Sequence, residues 1–408
     1  MMRELFITII SALLCLPLAA VEREDEAFPL DTADVVWTFT EGNRVKLLNN
    51  ADAKFRDLFA CIDTARHSVH LEYFNFRNDS INKLMMTLLA RKLYEGVEVR
   101  ILFDDFGNIS NDQPIRRKHI REMRSIGFKI QSYDPMLFPW INHAFHRDHR
   151  KVAVIDGQTA FIGGVNIADY YVTGLSGVGD WRDMHLRIEG PAANIIQRNF
   201  ITMWNAETKE QISPADYCLA HTAYSDGVPV AIVNDHPRYS DGDILDAFLW
   251  LIGEAEHEIK IVTPYFLPPK VIRRALTDAV GRGVDVQILL SAKGDIALTP
   301  EGSQLMGYRL TKRGVNVFLF NGGFHHSKVM TIDDDCCMIG SANLENRSLY
   351  FDHEQNAIVI DTTLVNDFVE IYEADKQCSD TLNHELYKSF SPWKRFVGHL
   401  AVFLRPIL

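Results

Sequence analysis

Two stretches, "HRKVAVIDGQTAFIGGVN" (His149 to Asn166) and "HSKVMTIDDDCCMIGSAN" (His326 to Asn343), share one skeleton: a histidine, a lysine two residues on, an aspartate five further, and an asparagine seventeen after the histidine. Side chains alternate between the two faces of a strand, so residues two apart project together. His149 with Lys151, and His326 with Lys328, therefore each pair an imidazole with an ammonium. The first is a nucleophile or general acid near neutral pH, and the second suits phosphate oxygens. Asn166 and Asn343 follow glycine turns and can add amide donors to the same oxygens, with Ser341 as a further phosphate-binding candidate. Two such half-sites facing each other would surround one phosphodiester. One histidine would attack phosphorus, and the other would protonate the leaving alkoxide and then deprotonate the acceptor.

A nucleophilic histidine also needs a carboxylate on its second nitrogen, to fix the tautomer and support the imidazolium. The candidates are Asp183 in "GDWRDMHLRIEG" and Glu354 in "FDHEQNAIVID", each just before an apolar strand able to lie beside the motif strand. Asp156 and Asp333 complete the motif and enter the candidate catalytic set with it. Their odd spacing from the lysine turns them to the other face, where a structural role in the turn is expected over direct catalysis. His67 and His257, at matching positions of the repeat, read as ordinary structural histidines.

The elements that carry these residues are duplicated. "GVEVRILFDD" and "GVDVQILLSA" are each a glycine followed by a β-rich run, and a second glycine follows thirty-one residues after each, at Gly127 and Gly314. Upstream, "CIDTARHSVHLEYFNF" parallels "LIGEAEHEIKIVTPYF" as a helix end, a short turn and an apolar strand. Each half thus reads strand, helix, strand, helix, strand. Helices alternating with apolar strands predict an α/β fold: two units with mixed sheets covered on both faces, related by a pseudo-two-fold axis. The linker is expected between Ala206 and Arg238, where polar and Pro/Gly-containing stretches interrupt the periodicity.

One spacing breaks the symmetry. Gly127 to His149 is twenty-two residues, whereas Gly314 to His326 is twelve. The extra residues fall in "DPMLFPWINHAFHRD", which carries Met136, Leu137, Phe138, Trp140, Ile141 and Phe145, and they predict an exposed apolar lip beside the site.

The chain has 408 residues, 47% of them hydrophobic and 24% charged, with a formal net charge of -12. That balance excludes a protein whose affinity comes from neutralising a phosphate backbone, so no nucleic acid partner is expected. The first twenty residues, "MMRELFITIISALLCLPLAA", hold an apolar run too short to span a bilayer and then small residues. They read as a signal peptide, with an N-terminal anchor as the alternative, and place the protein in the cell envelope, exported to the periplasmic side or held at a membrane. Beyond them lie five cysteines, Cys61, Cys218, Cys336, Cys337 and Cys378, without metal-ligand spacing. The tail from 385 to 408, "SPWKRFVGHLAVFLRPIL" at its end, mixes Trp393, Phe396, Leu400 and Phe403 with Lys394, Arg395 and Arg405, as an amphipathic interfacial helix would.

The doubled motif resembles the phospholipase D superfamily, whose signature is two His-x-Lys-x4-Asp motifs, and within it the bacterial cardiolipin synthases. The likeness covers nearly the whole chain beyond residue 20, through "HLEYFNF", "NHAFHRDHRKVAVIDGQTAFIGGVNIADYY", "GDWRDMHLRIEGPA", "TPYFLPP" and "GSANLENRSLYFDHE". It implies two tandem phospholipase D-like α-β-α units, at 30–210 and 220–380, acting through a phosphohistidine without a metal or other cofactor. It further implies phospholipid substrates at a membrane surface, with two phosphatidylglycerols condensed to cardiolipin and glycerol. By position, His149, Lys151 and Asn166 match the first motif, and His326, Lys328 and Asn343 the second. Asp183 and Glu354 match the family's histidine-orienting carboxylates. Hydrolysis of phospholipids to phosphatidic acid is the alternative, and a nuclease of the same superfamily is disfavoured by the acidic balance. Cardiolipin synthases of the long type begin with two membrane spans, where this chain has one short apolar segment.

Overall fold

Seven strands recur in the same order in both halves. The computed structural model describes residues 37–136, 145–219, 223–237 and 242–405. The N-terminal segment 1–20, and Leu137, Phe138, Trp140 and Ile141 of the apolar insertion, lie outside the described residues. The first half contains β1 (Thr40–Leu48), β2 (Ser68–Tyr73), β3 (Glu98–Asp104), β4 (Lys129–Tyr133), β5 (Lys151–Ile155), β6 (Thr159–Gly163) and β7 (His185–Glu189). The second repeats them as β8 (Val228–Asp235), β9 (Glu258–Val262), β10 (Asp285–Ser291), β11 (Asn316–Phe320), β12 (Val329–Ile332), β13 (Cys336–Gly340) and β14 (Glu354–Ile360), and adds β15 (Ser379–Thr381).

These strands form one continuous sheet of fifteen, in the order β15-β11-β10-β9-β12-β13-β14-β8-β1-β7-β6-β5-β2-β3-β4. β2, β3 and β4 are parallel, as are β9, β10 and β11, and the remaining pairs are antiparallel. The halves meet edge to edge where β1 pairs with β8, Thr40 opposite Val230, so the pseudo-two-fold axis passes between these two strands. Joining them removes two exposed edges that would otherwise invite pairing with other chains.

The helices repeat as well: α1 (Ala51–Thr64), α2 (Ser80–Tyr94), α3 (Arg117–Ile126) and α4 (Pro191–Glu207), then α5 (Asp243–Glu254), α6 (Lys270–Arg282), α7 (Thr299–Thr311) and α8 (Thr362–Gln377), with a terminal α9 (Pro392–Leu404). Local sequence sets their ends. Asn50 and Asp79 cap α1 and α2 by accepting from the amides of Ala53 and Asn82. α3 and α6 stop at Gly127 and Gly283, both left-handed, which a residue with a Cβ adopts only at a cost.

Burial follows the periodicity. All six residues of β2 are buried, as a central strand covered on both faces requires. On the inner face a single core crosses the axis: Val154, Ile162 and Leu186 of the first half pack with Val329, Ile339 and Val359 of the second, under residues of α4 and α8 such as Ile196 and Phe368. Between α4 and β8 the chain runs along the first half, where Glu210 binds Arg100 and Lys129, each at 2.8 Å. Against the cost of its partial burial, these cations and Trp204 hold the Glu210 carboxyl down at about 2. The five described cysteines are free thiols, and Cys336 and Cys337 are buried in the core. Among the described residues no helix is long and apolar enough to cross a membrane.

Candidate active site

In each half the middle strands alternate in direction, so the start of β5, the end of β6 and the start of β7 lie at one edge of the sheet, and β12, β13 and β14 do the same. Histidine, asparagine and carboxylate are far apart in sequence and fall on that edge because of this meander. It is also the edge where the parallel strands end, since Tyr73 at the end of β2 pairs with Lys151 at the start of β5. Ligands commonly bind at that edge in open α/β sheets.

The two edges meet across the axis. The amide of His149 donates to the carbonyl of His353, and that of His326 to the carbonyl of Arg182. Each motif segment is thereby laid along the strand start of the opposite half, next to its carboxylate. His149 Nδ1 lies 2.8 Å from Glu354 Oε1, and His326 Nδ1 lies 2.6 Å from Asp183 Oδ2. Each histidine thus receives its carboxylate from the other half. With Nδ1 engaged, Nε2 is the nitrogen left to meet a substrate.

The lysines sit against the histidines. Lys328 Nζ is 2.9 Å from Nδ1 and 3.1 Å from Nε2 of His326, and the Lys151 ammonium donates to the carbonyl of its own His149. Burial lowers Lys151 to about 7 and Lys328 to about 8, although Glu354 and Asp183 pull the other way. The four groups feel one another: Lys328 lowers Lys151, and Lys151 and His149 both lower His326.

The two histidine–carboxylate pairs differ. Against the cost of burial, His149 and Lys151 hold Glu354 ionised, down at about 2. Burial instead lifts Asp183 to about 7, despite Lys328 and the amide of Met184. Burial also keeps both imidazoles below their ordinary value, His326 more strongly. The surroundings match this difference. Around His326 stand the rings of Trp181, Phe324, Tyr171 and Tyr265, at centroid distances of 5.4, 5.6, 5.8 and 6.3 Å. Phe74 lies edge-on to His149 at 5.0 Å.

Asn166 accepts from the amide of Asn75 at 3.0 Å and donates to the hydroxyl of Tyr171 at 2.8 Å. Asn343 donates to Glu345 at 3.2 Å, and its own carbonyl oxygen is buried without a hydrogen bond, ready for a donor. The Ser341 hydroxyl donates to the carbonyl of Gln355 and accepts from its amide, so it ties the turn after β13 to the strand that carries Glu354. Asp156 and Asp333 lie at the far ends of the motif strands. Asp156 accepts from the amides of Arg66, His67 and Ser68, and Asp333 from those of Glu256, His257 and Glu258, closing equivalent turns in the two halves.

Several residues escape the sequence reading. Tyr171 and Asn75 fix Asn166, and both fall within phrases that carry the family likeness. Glu345 is buried against Asn343 and lifted to about 7 by that burial. Lys54 is fully buried, its ammonium 4.3 and 4.7 Å from the rings of Phe55 and Tyr73 and without a hydrogen bond. Burial holds its pKa far below the ordinary value while Asp183 opposes that shift. A lysine in the first turn of an amphipathic helix carries no signal of this in one dimension. Among the described residues no group of three or more histidine, cysteine or acidic side chains is disposed to hold a metal ion.

Comparison with known proteins bears on the family and the fold. Residues 58–204 and 248–376 match the family model described as "Cardiolipin synthase, PLD-like domain". The chain is 33% identical over 371 residues to a "Cardiolipin synthase" of Staphylococcus aureus (strain Mu50), covering 90% of this chain and 74% of the relative. It is 31% identical over 372 residues to the "Major cardiolipin synthase ClsA" of Bacillus subtilis (strain 168), covering 91% and 76%. Among solved structures, the phosphatidylserine synthase of Haemophilus influenzae shares the fold over 95% of this chain and 99% of its own, with a TM-score of 0.74 at 14% identity. With two motif-bearing halves joined across one axis and two curated relatives above 30% identity, the chain belongs to the phospholipase D-like cardiolipin synthase family and is a phosphatidyltransferase of the phospholipase D superfamily.

Proposed function

We propose that this enzyme condenses two phosphatidylglycerols to cardiolipin and glycerol through a phosphohistidine. The observation that carries the reading is the crossed pairing, His149 with Glu354 and His326 with Asp183, which presents two tautomer-fixed imidazoles to one site. Lys151, Lys328, Asn166 and Asn343 would hold the non-bridging oxygens of the phosphodiester, the lysines as point charges. Nε2 of one histidine bonds to phosphorus as the bond to the glycerol oxygen breaks, and the second histidine, as imidazolium, gives that oxygen its proton. Once neutral, the second histidine takes the proton from the glycerol hydroxyl of another phosphatidylglycerol. The resulting oxygen displaces the first histidine from phosphorus, releasing cardiolipin. The names of the relatives support this acceptor.

Incubation of the purified protein with phosphatidylglycerol alone, followed by separation of the lipids, tests the reading. Cardiolipin and glycerol are expected as main products, and mostly phosphatidic acid would identify a hydrolase instead. His149→Ala and His326→Ala should each lower turnover at least ~100-fold, the low end for one general acid–base group, without loss of fold. Near-normal turnover in either variant would remove the two-histidine mechanism.

A further inference from the structure

On the second half, away from the histidines, a groove of about 660 Å³ lies between α6 and α7. Among the described residues its walls carry Lys270, Arg273 and Arg274 from α6, Arg309 from α7, and Lys312 and Arg313 from the turn that follows α7, against the single carboxylate of Asp278. Six cations facing one acid stand out in a chain of formal charge -12. Arg274, Arg309 and Arg313 make no ion pair among the described residues.

The neighbouring face of α7 holds α9. Gly302 and Gly398 allow the close approach: a Cβ on Gly302 would come within 2.8 Å of the Ala401 methyl, and one on Gly398 within 2.7 Å of the Glu301 carbonyl oxygen. Docked in this way, α9 buries Gly398 and Ala401 and turns an apolar stripe outward. Trp393, Phe396 and Phe403 are 71%, 58% and 78% exposed, at a spacing that places them on one face with the half-buried Leu400. Exposed aromatic rings on α9, and a row of arginine and lysine borne by the helix it packs against and its neighbour, are the chemistry of an interfacial element. The rings enter the headgroup–acyl boundary, and the cations meet anionic headgroups.

We propose that the α6–α7 groove and the outer stripe of α9 form one docking face for an anionic phospholipid bilayer. The choice of a bilayer over another polyanion rests on the reading that the substrates are phospholipids, and on the aromatic stripe, which a dissolved polyanion would leave unused. A net-negative protein is repelled by an anionic surface at long range. Within a Debye length of ~8 Å at physiological salt the local cluster outweighs the whole, so the groove also sets which face approaches.

The full-length protein is mixed with phosphatidylcholine vesicles, and with vesicles of phosphatidylcholine and phosphatidylglycerol in equal parts. Binding is read by sedimentation, and the contact face by amide hydrogen exchange. Protection of α6, α7 and α9 is expected only with the anionic vesicles, weakening as salt rises. One cation near an anionic surface changes partition about fivefold, so R274Q/R313Q should lower it roughly 30-fold. The double variant should leave turnover of detergent-dispersed phosphatidylglycerol intact, which reports that it is folded. Equal partition of the double variant and the unmodified protein, or unchanged exchange in α6, α7 and α9, would overturn the docking face. So would binding of single-stranded RNA in the groove in place of vesicles. Vesicle binding is read without turnover, so a protein that binds through this face yet makes no cardiolipin would remove the functional reading and leave the docking face standing.

Discussion

The two histidines of the site are equivalent by repeat but not by environment, and the lysines beside them tie binding to pH. Lys151 and Lys328 are buried against carboxylates that only partly compensate them, so their protons leave near 7 and 8 rather than at the ordinary lysine value. Since these folded-state values lie below the unfolded one, the charged lysines cost stability below them. That cost shrinks as pH rises from about 7 toward the ordinary lysine range. Anion binding runs the other way, because it needs the ammonium forms. A soluble phosphodiester such as glycerophosphoglycerol keeps one negative charge across this range, so its affinity reports the protein alone. Its Kd, measured by calorimetry, is expected to be flat below about 7 and to climb through about 8, approaching tenfold per pH unit for each lysine that must be protonated. A Kd constant over that window would mean that the lysines do not carry the phosphate.

At the scale of elements, the turn after β6 decides where Asp183 can stand. Gly164 is packed so closely on Asp183 that a Cβ would overlap both carboxylate oxygens. Its counterpart in the second half is Ser341, whose hydroxyl binds the backbone of Gln355. Gly164→Ala should therefore displace Asp183 from His326 and lower turnover by at least ~100-fold, while Ser341→Ala, which removes a hydroxyl bonded to backbone and adds no atom near Glu354, should cost far less. Equal losses in the two variants would contradict this asymmetry. Much of this scale was legible in the sequence, because strands, caps and motif spacings are local. The thirty-one-residue glycine spacing marks where β3 with β4, and β10 with β11, must start, and the seventeen-residue spacing marks the meander that returns each asparagine to its histidine. The crossing of carboxylates between halves was not legible. Asp183 and Glu354 each precede a strand of their own half, and only the meeting of the two sheet edges hands each one to the other half's histidine. The α6–α7 groove escapes for the same reason, since "KVIRRALTD" and "YRLTKRG" read separately as solvated helix faces.

At the scale of the whole molecule, duplication has produced one structure rather than two tethered ones. The sheet continues through β1 and β8, the inner core mixes both halves, and each histidine depends on a carboxylate across the axis. A half on its own would expose a sheet edge and the apolar inner face, and would keep a histidine without its carboxylate. Unfolding of either half should therefore carry the other with it. Calorimetry is expected to give a single transition whose calorimetric and van't Hoff enthalpies agree, although chains of this length often unfold in steps. Ile339 sits 1% exposed in the shared core beside residues of both halves. Ile339→Ala should cost about 2–5 kcal/mol and move that one transition down by a few degrees. Two resolved transitions, with Ile339→Ala shifting only the one belonging to the second half, would show that the halves fold independently and that the axis is an interface rather than a core.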